Sequence, residues 1–405
     1  MKTNILFITS ATRIGGAERT LLFILKDLNK NLFSLIVIIP GKGMLYDELE
    51  KLNIKVIKSG LIKKLNLLKM SFRLGKFRLY NLINIIANAI LISFYFLSSA
   101  IVISILIKRT KTKIIYSGSL DIAARIFLIA ALMRKNVIFN YQDILKPSID
   151  NLLLRWLIDT PSRSICCSNS VRRSILRWSN NIDRIEALFN SIDLAIFDGN
   201  LDIYEAQRLK KGLNLSKFVV GIVGRFDLCK GHETFLEAAS IVVKSIPDVS
   251  FLIVGSWVLD FEKGREEILK RYVKELGLED KVVFTGFVAD VKKYYHLMDI
   301  VAVPSWQEPM GLVVLEAMAE GRPVIGTNSG GIPEIIDNGI TGILVPVQDA
   351  KALAQAIIRL WEDERLRNEL AMQGRNTARK FFDGTQFMKN IEAVFMEALE
   401  IREGC

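Results

Sequence analysis

The sequence predicts an α/β protein built from two doubly wound domains. Three observations carry that expectation. The chain has 405 residues, half of them apolar, which is enough for two cores of roughly 150 to 200 residues each. Short β-branched apolar runs alternate with stretches of helical spacing, and this alternation occurs in two series. A segment rich in turn formers, FNSIDLAIFDGN around Asn190 to Asn200, separates the series.

In the first series Ile5 to Thr9 is apolar and β-branched, Gly15 and Gly16 interrupt it, and Glu18 to Leu28 has helical spacing with an acid near its start. Leu35 to Ile39 reads as a buried strand, Tyr46 to Leu52 as a helix and Ile54 to Ile57 as a third strand. Further strands are expected at Ile114 to Tyr116 and Val137 to Asn140, around a helix from Ile122 to Met133. The second series has six short apolar strands: Phe218 to Val223, Phe251 to Val254, Val282 to Phe284, Ile300 to Val303, Val324 to Gly326 and Ile343 to Val345. Helices are expected between them at Glu233 to Val243, Glu262 to Leu276 and Gly311 to Ala319, and helical patterns run from Ala350 to the end. The expected domains are 1–195 and 196–382, with 383–405 a C-terminal helix able to pack back on the first. Open α/β sheets carry ligands at the carboxyl ends of their strands, so a binding cleft is expected where two such sets of loops face each other.

Charge is distributed unevenly. Residues 1–113 contain 19 Lys/Arg and 5 Asp/Glu, a balance of +14, which leaves −3 for the remainder of a chain whose total is +11. No acidic residue occurs between Glu50 and Asp121, whereas thirteen Lys and Arg do, from Lys51 to Lys113. Such a field attracts polyanions. The cations flank an apolar segment instead of aromatics spaced for base stacking, so an anionic membrane surface is the expected partner and nucleic acid is not. From Asn81 to Ile107, 27 residues pass without a charge. Three readings stand open: a membrane-spanning helix, one or two helices beneath the sheet, or a monotopic segment (about 59–113) at headgroup depth. The N-terminus, MKTNILFITSATRIGG, has no signal-type cleavage site, and Cys166, Cys167, Cys229 and Cys405 form no disulfide framework. A cytoplasmic protein, peripherally associated with the inner face of the membrane, is expected.

The segment VGRFDLCKGHETFLEAA places Arg225 just past a strand and Lys230 just before a helix. Two cations and a helix N-terminus then converge, which is what a diphosphate needs. In SWQEPMGLVVLEAMAEG, Glu308 lies in a loop and Glu316 about a turn and a half inside a helix that starts near Gly311. A carboxylate among Val313, Val314, Leu315, Ala317 and Met318 is costly without a hydrogen-bonding partner, and a ribose diol would serve. NSGGIPEII repeats the design with Gly330, Gly331 and a proline before Glu334, and Gly15 and Gly16 do the same in the first domain.

These residues resemble glycosyltransferase family 4: GGAE at Gly15 to Glu18, GR and KG at Gly224 to Gly231, glutamates eight apart at Glu308 and Glu316, and GGIPE at Gly330 to Glu334. The resemblance spans nearly the whole chain and is most specific in its C-terminal half. It implies a GT-B fold, two Rossmann-like doubly wound domains facing across a cleft, and a retaining transferase acting on a nucleotide-sugar. By that resemblance Glu316 would bind the ribose hydroxyls, Arg225 and Lys230 the diphosphate, and Glu308 the region of the transferred sugar. Gly311 and Leu312, at the helix start, together with Gly330 and Gly331, would approach the sugar nucleotide. Gly16 would approach the diphosphate or acceptor, and the backbone near Phe287 the base. No cofactor and no metal is implied: Asp-x-Asp is absent and the chain has two histidines. Many members carry a histidine after the fourth or fifth strand. Here FNYQDIL places Gln142 there, before Asp143, and an amide contacts a sugar hydroxyl but holds no proton near neutral pH. The implied acceptor is a lipid-linked or other glycan. Another GT-B enzyme, such as an epimerase or inverting transferase, and a non-catalytic membrane module are the alternatives.

Overall fold

A computed structural model describes residues 2–62, 95–145, 152–179, 181–197, 203–257 and 264–403. The chain forms two compact units: Met1–Cys166 with Ser174–Ala187 and Met388–Cys405, and Cys167–Arg173 with Leu188–Phe387.

Among the described residues the first unit holds seven strands: β1 Thr3–Ile8, β2 Phe33–Ile39, β3 Lys55–Lys58, β4 Ile114–Ser117, β5 Asn136–Tyr141, β6 Arg163–Cys166 and β7 Ile185–Ala187. They lie in the order β3-β2-β1-β4-β5-β6-β7, every pair parallel. A parallel sheet covered on both faces needs continuous apolar runs, and Ile5, Leu6, Phe7 and Ile8 of β1 are all buried. Each such side chain contributes roughly 1.5–3 kcal/mol on leaving water. β6 and β7 are absent from the sequence expectation because RSIC and IEA are too short and too polar to stand out. Pairing of β6 with β5 and of β7 with β6 supplies what propensity lacks.

Residues 95–109 form a helix with Ile103 and Ile107 fully buried and Leu97, Ile101 and Ile105 exposed. The rest of the expected apolar segment, and the cations from Lys63 to Arg78, fall at 63–94, outside the described residues. Among the described residues no helix is long and apolar enough to cross a membrane.

The second unit holds β8 Phe218–Val223, β9 Val249–Val254, β10 Val282–Gly286, β11 Ile300–Val303, β12 Val324–Thr327 and β13 Ile343–Val345. Their order is β10-β9-β8-β11-β12-β13, again all parallel. The helices His232–Val242 and Ala350–Glu362 supply much of the core, with Phe235, Leu236, Leu353 and Ile357 at zero exposure. Both sheets are doubly wound, with switch points at β1/β4 and β8/β11, where consecutive connections leave in opposite directions.

Candidate active site

At a switch point the carboxyl ends of two adjacent strands border a crevice, because their following helices lie on opposite faces. In the second unit the bordering loops are 224–231 after β8 and 304–311 after β11. The three expected catalytic residues, Arg225, Lys230 and Glu308, and the helix start Gly311 fall on these two loops.

In the first loop the Arg225 guanidinium stands 3.0 Å from the Asp227 carboxylate and is about one-third exposed. Asp227 also accepts from the Cys229 amide at 2.8 Å, closing the short 3-10 turn Leu228–Lys230 that presents Lys230. Lys230 Nζ lies 2.6 Å from Glu308 Oε2, and the Ser305 hydroxyl donates to the same oxygen at 3.2 Å. The two loops meet through Gly231. Its φ is +72°, and a Cβ there would lie 2.1 Å from the carbonyl oxygen of Pro304.

Gly311 caps the helix Leu312–Ala319, so the positive end of its dipole and its first backbone N–H groups start at the crevice. Leu312 is its first residue. Glu316, one and a half turns in, is buried, and the Tyr295 hydroxyl donates to its Oε2 at 2.9 Å. Tyr295 is itself fully buried, so this bond fixes the rotamer of the carboxylate. The glycine pair after β12 packs on the Glu308 loop: Gly331 N–H donates to the Glu308 carbonyl at 2.8 Å. At Gly330, with φ +60°, a Cβ would sit 1.9 Å from that same oxygen. The close approach these two glycines permit is therefore to the backbone that holds Glu308. Glu334, farther along GGIPE, accepts from the Asn169 and Ser170 amides at 2.7 and 2.6 Å and caps the helix Asn169–Leu176. Phe287, just past β10, is exposed.

His232 begins the helix after Gly231 and is 1% exposed. Burial pushes its imidazole down to about 3, with the neighbouring Lys230 and Arg265 adding to the shift. The ring is neutral, stacks edge-on against Phe226, and its Nε2 has no hydrogen-bond partner among the described residues.

The remaining expected residues belong to the first unit. Gly16 opens the helix Gly16–Asp27 at the end of the loop that follows β1, and the Gly15 amide donates to Glu18 Oε2 at 2.9 Å. Gln142 and Asp143 follow β5. Gln142 Nε2 donates to Asn140 Oδ1 at 2.7 Å, and Asn140 Nδ2 to the Tyr116 hydroxyl at 2.6 Å, while Asp143 is exposed. Burial holds the Tyr116 phenol far above its ordinary range. This chain of neutral amides and a phenol carries no mobile proton near pH 7.

Residues 204–377 match the family described as glycosyl transferases group 1. This stretch, less than half of the chain, is what is similar to that family. Among curated relatives it is 29% identical over 256 residues to N-acetyl-alpha-D-glucosaminyl L-malate synthase of Bacillus anthracis, covering 62% of this chain and 64% of the relative. It is 29% identical over 211 residues to D-inositol 3-phosphate glycosyltransferase of Paenarthrobacter aurescens, covering 51% and 50%. The matches thus span about half to two thirds of these relatives. A crystal structure of Anabaena Alr3699/HepE in complex with UDP-glucose superposes with a TM-score of 0.80 at 22% identity, over 97% of this chain and 99% of that one. The fold is GT-B, two doubly wound units of seven and six parallel strands.

Sequence reasoning overlooks three supporting side chains. Asp227 and Ser305 hold Arg225 and Glu308, and Tyr295 holds Glu316; Glu334, already quoted in GGIPE, caps the helix Asn169–Leu176. Asp227, two residues past Arg225, was legible as a turn former. Tyr295, in VKKYYHLMD, carried no periodic or motif signal, because only the fold sets it beside a residue 21 positions later. Among the described residues no three His, Cys, Asp or Glu side chains converge as a metal site would require.

Proposed function

We propose that this chain is a metal-independent, retaining glycosyltransferase that takes a sugar from a UDP- or GDP-sugar and passes it to a lipid-linked or other glycan acceptor at the cytoplasmic face of a membrane. One observation carries the reading: Arg225, Lys230, Glu308 and the helix start at Gly311 border one crevice at the β8/β11 switch point. Cleaving a sugar–phosphate bond builds negative charge on the leaving diphosphate, and preorganised cations and amides stabilise that charge more in the transition state than in the ground state. Arg225 and Lys230 supply the cations that a metal would otherwise supply. Glu308 already neutralises Lys230, so an arriving diphosphate exchanges one carboxylate partner for phosphate oxygens, and Glu308 turns to the sugar. Glu316, held by Tyr295, takes the ribose hydroxyls. The Anabaena protein whose fold matches forms a crystalline complex with UDP-glucose, which supports a nucleotide-sugar. The acid-free basic region from Lys51 to Leu120 supports the membrane side of the reading, and with it a role in envelope polysaccharide or glycolipid assembly.

The test is a screen of UDP- and GDP-sugars for turnover with lipid-linked acceptors, with the anomeric proton of the product read by NMR. Retained configuration and at least a tenfold loss of kcat/KM in Lys230→Ala, about 1.4 kcal/mol, are expected. An inverted product, epimerised donor, or nucleotide binding without turnover would each replace the proposal with a different activity on the same fold.

A further inference from the structure

The first unit has a second concave feature, at the amino ends of β1, β2 and β3, opposite the end of the sheet where the Gly15–Gly16 loop lies. It is an open cavity of about 490 Å³ whose lining includes Asn4, Ser34, Leu106 and three cations, Lys55, Arg109 and Lys111. Nothing in the proposed transfer reaction uses it.

No Asp or Glu lines this cavity, and none of the three cations takes part in an ion pair among the described residues. Three like charges around one cavity repel each other and lower stability unless an anion joins them. Two further features point to a ligand. Lys111 has φ +49° at the position after the helix end, where glycine is the usual residue; a lysine held there keeps a charge at a conformational cost. The exposed row Leu97, Ile101, Ile105 advances by four residues along the helix 95–109, and its next member is Arg109. An exposed apolar stripe thus runs directly into the cationic cavity. A free phosphate ion has no use for such a stripe, whereas a phospholipid presents a phosphodiester beside acyl chains.

We propose that this cavity, with Lys55, Arg109 and Lys111, binds the phosphate of an anionic phospholipid headgroup while Leu97, Ile101 and Ile105 enter the adjoining acyl layer. Asn4 braces the rim, its side-chain amide donating to the Thr110 carbonyl at 2.6 Å and its own carbonyl accepting from the Lys113 amide at 3.0 Å. The inference deepens the membrane part of the proposed function and is separable from the nucleotide site.

The experiment is co-sedimentation of the full chain with vesicles of phosphatidylglycerol in phosphatidylcholine, alongside calorimetric UDP binding. The triple variant Lys55→Gln, Arg109→Gln, Lys111→Gln should lower partitioning at least tenfold. A control triple with the same charge loss at exposed sites of the second unit, Lys211→Gln, Lys244→Gln, Lys274→Gln, should change it less than twofold. Lys111→Gly serves as a variant that folds at least as well as the parent, since glycine suits its φ, and should lower partitioning severalfold. UDP binding should be unchanged in all three, and its absence in the parent would count against the transferase reading alone. Equal losses in both triples would show a diffuse field and overturn the site. So would equal binding to pure phosphatidylcholine. Saturable binding of inorganic phosphate, abolished by the first triple but without vesicle binding, would overturn the lipid assignment.

Discussion

Two buried side chains, Tyr295 and His232, lie directly behind residues of the proposed site. Tyr295 gives Glu316 a fixed hydrogen bond at 2.9 Å inside an apolar helix. In Tyr295→Phe the carboxylate loses that partner, at a cost of about 0.5–1.5 kcal/mol. The Michaelis constant for the sugar nucleotide should therefore rise roughly two- to tenfold, with kcat changing much less, because Glu316 is assigned to binding instead of bond cleavage. A fall in kcat without a rise in KM would remove Glu316 from that role. His232 reports its burial through pH. Its folded value of about 3 lies below the ordinary 6.5, so the unfolded chain binds the proton that the folded chain refuses. The stability this gives is fully present above pH 6.5 and is lost as pH falls toward 3. Between pH 7.5 and 5 the loss should be about 2 kcal/mol. Urea unfolding of the parent and of His232→Phe at both pH values would check this; parallel profiles would sink it. Spacing singles out Arg225, Lys230, Glu308 and Glu316 as candidates, whereas a tyrosine or histidine that acts through burial leaves no periodic trace.

At the scale of elements, the strands legible in advance are those whose own side chains demand burial. Phe218–Val223 and Ile300–Val303 appear with the bounds expected from their apolar runs. Arg163–Cys166 and Ile185–Ala187 do not, since neighbours supply most of their stabilisation. The GGIPE segment gives a parallel lesson. Its glycines serve the Glu308 loop, and its glutamate serves a different element. Glu334 satisfies two orphan amides at the start of Asn169–Leu176, with Arg173 at 3.3 Å as a more exposed third partner. Glu334→Ala leaves those amides unpaired and should cost about 1–2 kcal/mol of stability in the second unit. Amide exchange should quicken at Asn169 and Ser170 before it does in β8 or β11. A stability change below 0.3 kcal/mol, small against the usual cost of losing a cap, would show that water replaces the carboxylate.

At the scale of the whole chain, sequence order and structural unit part company. Sequence reading divides the chain into 1–195, 196–382 and a C-terminal helix 383–405 able to pack back on the first; in the structure the first unit contains Met388–Cys405, while the preceding two hundred residues, Leu188–Phe387, belong to the second. Periodicity marks the helix Gly384–Glu403 but not the surface it covers. That surface is aromatic: Phe395, at zero exposure, has ring centroids 5.8 Å from Phe33, 5.9 Å from Tyr116 and 6.2 Å from Phe7. Truncating such a side chain removes its transfer energy and leaves a cavity that β1, β2 and β4 are too rigid to fill, so Phe395→Ala should destabilise the first unit by about 3–5 kcal/mol. The second unit's core is a separate cluster. The two predictions therefore diverge within one molecule. Hydrogen exchange of the full-length variant should lose protection in Thr3–Ile8, Phe33–Ile39 and Ile114–Ser117 while Phe218–Val223 and Ile300–Val303 keep theirs. UDP binding, which the proposed site assigns to the second unit, should survive at temperatures where the first unit is already open. Simultaneous loss of protection in both sheets would mean that the two units unfold as one cooperative body, and that residues 388–405 stabilise the whole chain and not the first unit alone.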